Sequence, residues 1–64
     1  MIKVFCLDEN KEYWFVAKTP YEAMEKMKYT LDLAHKDKNC VINITPSARC
    51  MYMEHGGKTY SVVL

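Results

Sequence analysis

TPYEAMEKMKYTLDLAHK, residues 19–36, is the one stretch of this chain with a clear helical pattern, and the segments on either side of it read as strands. Its start is written in local chemistry. Thr19 suits the N-cap, Pro20 the first helical position, and Glu22 completes a Thr-x-x-Glu capping box by reaching back to the cap amide. At the helical period Ala23, Met24, Met27, Thr30, Leu31 and Ala34 fall on one face, the apolar stripe expected of a helix lying on a sheet. Glu22 with Lys26, and Asp32 with Lys36, are spaced i,i+4 in the better orientation, each pair contributing about 0.2–0.5 kcal/mol. His35, Lys36 and Lys38 near the end complement the helix macrodipole. Tyr29 and Leu33 sit opposite the stripe, either as an ordinary exposed pair or as the edge of a contact surface.

With 64 residues the chain has room for one domain, residues 1–64. A chain of this size buries only about 60% of the surface its unfolded form exposes. Half of the residues are hydrophobic and there are two Gly and two Pro, so disorder and low complexity are excluded. Nine basic residues against eight acidic ones give a net charge of +1, with the signs interspersed. No basic stripe exists to track a phosphate backbone. No apolar run approaches a membrane span, and Met1 to Leu7 lacks the regions of a signal peptide, so the expectation is a cytoplasmic protein with no membrane partner. Cys6, Cys40 and Cys50 are an odd number without paired spacing, which suits a reducing compartment and small core residues better than a disulfide framework.

Ile2 to Leu7 and Glu12 to Lys18 are rich in β-branched and aromatic residues and flank Asp8-Glu9-Asn10-Lys11, which supplies turn chemistry. This predicts a hairpin in which Leu7 faces Glu12, Phe5 faces Trp14 and Lys3 faces Val16. Ile2, Val4, Cys6, Tyr13, Phe15 and Ala17 then share the other side. A one-residue change in the loop would exchange the faces of the second strand, but both sides of the hairpin carry large apolar groups either way. After the helix, Asn39 suits a left-handed C-terminal position. Cys40 to Thr45 reads as a short strand with Ile42 and Ile44 on one side and Val41, Asn43 and Thr45 on the other. Pro46-Ser47-Ala48 ends it. Met51 to His55 and Lys58 to Leu64 flank Gly56-Gly57, a connection suited to a primed turn. That hairpin puts Met51, Met53, Tyr60 and Val62 on one face. Cys50, Tyr52, Glu54, Thr59, Ser61 and Val63 lie on the other. The predicted fold is α+β with the order ββαβββ, one helix on one face of a predominantly antiparallel or mixed sheet. If the second and third strands run parallel in one sheet, their connection should be right-handed.

One helix covers one face. The other would carry Phe5, Trp14, Val16, Val41, Tyr52 and Val63 among Lys3, Glu12, Asn43 and Thr59, unless sheet curvature or the termini cover them. Chemistry is harder to find. Gly56-Gly57-Lys58-Thr59 resembles the end of a phosphate loop, but the pattern needs glycine where Tyr52 stands, and the segment opens a strand. His35, His55, Cys6, Cys40 and Cys50 lack metal-ligand spacing, so neither metal nor cofactor is expected. Alternation puts Cys50 and His55 on opposite faces, and no nucleophile, base and acid can be grouped, so the chain reads as non-catalytic.

Two functions fit these residues. The first is a protein-interaction or self-associating module whose partner surface is Phe5, Trp14, Val16 and Tyr52, with Tyr29 and Leu33 from a second subunit's helix, and whose partner is another protein or a homodimer mate. The second is single-stranded nucleic-acid binding with Phe5, Trp14 and Tyr52 as stacking platforms. The near-neutral charge and the absence of a glycine-aromatic signature oppose it.

Overall fold

The computed structural model describes residues 1–31 and 41–64. Helix α1 (Pro20–Thr30) begins where its caps place it: the Thr19 hydroxyl accepts the Glu22 N–H at 3.1 Å. Glu22 changes partner. Its carboxylate accepts the N–H of Lys18 at 3.3 Å, one residue before the expected cap amide, and lies 3.9 Å from Lys26. Ala23, Met24 and Met27 are fully buried and Leu31, the C-cap, is half-buried. Thr30 does not join the stripe; it is exposed and its hydroxyl donates back to the Lys26 carbonyl at 3.1 Å. The expected continuation of the helix, with Asp32, Leu33, Ala34, His35 and Lys36, lies outside the described residues, as do the Asn39 cap and Cys40.

Five strands form one sheet: β1 (Ile2–Cys6), β2 (Lys11–Phe15), β3 (Asn43–Thr45), β4 (Cys50–His55) and β5 (Lys58–Val63), in the spatial order β2-β1-β5-β4-β3. Every neighbouring pair is antiparallel. It follows that β2 and β3 run in the same direction at opposite edges, so the connection containing α1 must cross the whole sheet. The second hairpin has the predicted register, with Met53 opposite Tyr60 and Met51 opposite Val62. Gly56 and Gly57 at φ +59° and +77° supply the two positive dihedrals that a type I′ turn requires.

The first hairpin keeps its faces and shifts its register by two residues. Cys6 opposes Lys11, Lys3 opposes Trp14 and Phe5 opposes Glu12, so the four-residue loop is Leu7 to Asn10. The expected pairs Leu7–Glu12, Phe5–Trp14 and Lys3–Val16 are therefore corrected. The cause is tertiary. The Leu7 N–H donates to the Thr59 carbonyl at 3.0 Å and the Asp8 carboxylate accepts the Thr59 N–H at 2.5 Å, which draws both residues toward β5. Asn10 closes the loop at φ +52°, a conformation its short polar side chain tolerates.

The nine buried hydrophobic residues among those described are on the helix or on the sheet face beneath it: Val4, Cys6, Met51, Met53, Tyr60 and Val62 from the strands meet Ala23, Met24 and Met27. Four methionines fill this core, their unbranched chains accommodating the gap between helix and twisted sheet. Desolvation raises the Tyr60 phenol above its ordinary pKa. At the far edge Ile44 shares the helix-side face with Met51 yet is 57% exposed. Met53→Ala should therefore lower unfolding free energy by about 2–5 kcal/mol, whereas Ile44→Ala should change it by less than about 0.5 kcal/mol, as read by urea denaturation at one protein concentration.

Candidate functional site

The face away from the helix is assembled by strand alternation. Register lines up Glu12, Phe5, Ser61, Tyr52 and Asn43 in one row across all five strands. Beside it on the same face, Trp14 opposes Lys3 across β2 and β1, and Val63 opposes Cys50 across β5 and β4. Trp14 is 55% exposed, Val16 72% and Val63 75%, while Phe5 and Tyr52 are half-buried. Isolated exposed apolar side chains are ordinary, but here Phe5, Trp14, Tyr52 and Val63 lie on the same face of the sheet, with Val16 just beyond the end of β2.

Lys3 organises the β1–β2 part of this surface. Its ammonium lies 5.9 Å from the ring centroids of both Phe5 and Trp14, within cation–π range, and 3.4 Å from the Glu12 carboxylate. Phe5 and Trp14 are thus diagonal neighbours with Lys3 between them, rather than a directly opposed aromatic pair. Trp14 nevertheless stays 55% exposed. Between β1 and β5 the same face holds a shallow depression of about 340 Å³ lined by Lys3, Phe5, Leu7, Ser61 and Val63. Alternation already groups Leu7 with Phe5 and Lys3, and Phe5 with Val63, but does not give the depression between them. Adjacency of β1 and β5 makes it, and no local signal in the sequence carries that adjacency.

Tyr29, 67% exposed, stands on the helix and therefore on the other side of the molecule from Trp14. It does not extend the open face within one subunit. Tyr21 is exposed on the same helix, and a hydrogen bond to Glu25 raises its phenol above the ordinary pKa. Leu33 lies outside the described residues.

The residues with chemical potential are spread out. Cys6 is buried under the helix, Cys50 is on the open face, and His55 shares the helix-side face with Met53. Among the described residues no three His, Cys, Asp or Glu side chains converge as metal ligands. No described helix is long and apolar enough to cross a membrane. No family model, curated protein or solved structure matches the chain, so its surface chemistry carries the functional argument.

One ion pair ties the first loop to β5. Lys58 Nζ lies 3.0 Å from Glu9 Oε2, and the Cys6 thiol donates to Glu9 Oε1 at 3.7 Å. The hydrogen bond and charge of Lys58 hold the Glu9 carboxyl below its ordinary pKa, and Glu9 in turn raises Lys58. A lowered carboxyl pKa stabilises the fold above the unfolded-state value near 4.5 and ceases to do so as pH falls through the folded-state value. Raised Lys58 contributes below its unfolded value of 10.5 and loses this as pH rises through the folded one. Both side chains are well exposed, so solvent and salt screen the pair. Glu9→Gln should lower Tm slightly at neutral pH, and thermal melts of the two proteins should converge once acid has protonated Glu9.

Proposed function

We propose that this chain is a small non-catalytic interaction module of one domain, working in a reducing compartment such as the cytosol, whose working surface is the open sheet face around Phe5, Trp14, Val16 and Tyr52. The observation that carries this reading is the half-exposed Trp14 standing among other apolar side chains on a face that α1 does not cover. A chain of this size has little margin of stability, and association adds burial to the nine buried hydrophobic residues found among those described. A second copy is the simplest occupant, since isologous two-fold pairing is the commonest form of assembly. A standard interface takes about 800 Å² from each partner, which is roughly a fifth of the 4447 Å² surface here.

This reading is favoured over nucleic-acid binding by the charges on the face. Strand alternation places Lys3, Glu12 and Glu54 there, and Lys3 is held by Glu12. Aromatic platforms for single strands work beside cations that track the backbone, and this face carries more acid than base. Sedimentation at micromolar concentrations should show a dimer, and Trp14→Ser should weaken it at least about tenfold while leaving the circular dichroism spectrum unchanged. A monomer at every concentration would remove the self-association.

A further inference from the structure

We infer that the second copy joins through the outer edge of β2, in antiparallel register about a two-fold axis at Tyr13, so that two five-stranded sheets become one of ten strands. The inference rests on the self-association proposed above and specifies its geometry.

The backbone hydrogen bonds show which groups are available. The N–H of Leu7 reaches the Thr59 carbonyl on β5, and successive residues of a strand point their main-chain groups to opposite sides. Phe5 and Lys3 thus address β5, while Ile2, Val4 and Cys6 address β2, where their partners are Phe15, Tyr13 and Lys11. Glu12 and Trp14 must then direct their N–H and C=O groups outward. Among the described residues no main-chain hydrogen bond reaches either of them. Val16, next in the outward series, has its carbonyl taken by the Lys26 ammonium from α1. Two residues spaced i,i+2 remain, with two donors and two acceptors.

That set is self-complementary. With Tyr13 on the axis, Glu12 and the partner's Trp14 exchange two hydrogen bonds, and Trp14 and the partner's Glu12 exchange two more. All four outward groups on each copy are used and nothing is asked of Val16. A register with Trp14 on the axis would instead need the Val16 carbonyl that Lys26 holds. The two sheet edges also differ in a way that favours this one. β3 is only three residues long and is stopped by Pro46, which are two ordinary means of blunting an edge, whereas β2 is five residues without proline. Joining copies at β2 keeps both helices on one side and sets the partner's Glu12 directly beside Trp14 on the open face, so that the exposed indole gains a neighbour on association.

Glu12→Pro tests the edge directly. It deletes an outward N–H that makes no bond within the subunit, a position where an edge strand tolerates proline, and it blocks the approach of another strand. Glu12→Thr removes the same carboxylate and keeps the N–H. The expected result by sedimentation is a rise of about a hundredfold or more in the dimer dissociation constant for Glu12→Pro, with Glu12→Thr within about threefold of the original. If Glu12→Pro remains as dimeric as the original chain, or if Glu12→Thr is equally weakened, edge pairing is wrong while self-association stands. An original chain that never dimerises overturns both. Amide hydrogen exchange on the unmodified chain needs no variant: the Glu12 and Trp14 amides should slow as concentration rises, and fast exchange at all concentrations would contradict the pairing.

Discussion

The structure depends on one asymmetry: among the described residues one α-helix, eleven residues long, lies on one face of a five-stranded sheet, and the strands carry apolar side chains on both faces. The buried residues are gathered under α1. A helix of this length shelters the middle of the sheet and leaves Ile44 at its edge exposed, while Trp14 and Val63 on the far face have no element packed above them among the described residues. The hydrophobic effect scales with area removed from water, so the uncovered face is a standing source of association free energy.

Lys3 and Glu12 temper that face without closing it. The ammonium sits between two rings and beside a carboxylate, which gives the indole a polar neighbour and keeps the surface compatible with water. In the proposed assembly such a mixed patch would serve both the solubility of the isolated subunit and its contact with a second copy. The open edge of β2 adds direction to this non-directional attraction, because main-chain hydrogen bonds fix register where apolar contact alone does not.

What could be read from the sequence was what local chemistry dictates. Thr19, Pro20 and Glu22 placed the helix start because caps act within one turn. Gly56-Gly57 set the second hairpin because a two-residue loop admits one register. Alternation then put Phe5, Trp14 and Tyr52 on one face of the sheet, whereas Val16 lies beyond the end of β2. The first hairpin slipped by two because Leu7 and Asp8 are held by Thr59, a contact across 51 residues of chain for Asp8. Insertion of β5 between β1 and β4, and with it the depression beside Leu7 and Val63, has no local signature at all.

Trp14 is the sole tryptophan of the chain, so its emission reports on the open face alone. Collisional quenching by acrylamide across a dilution series is the most direct measure of whether the indole is bare in one subunit and shielded by a second copy on association. Efficient quenching in dilute protein that declines at tens of micromolar, on the order of typical modest self-association, is the expected result. Blue-shifted emission that resists quenching at every dilution would show the indole already enclosed within a single chain, and would contradict the account.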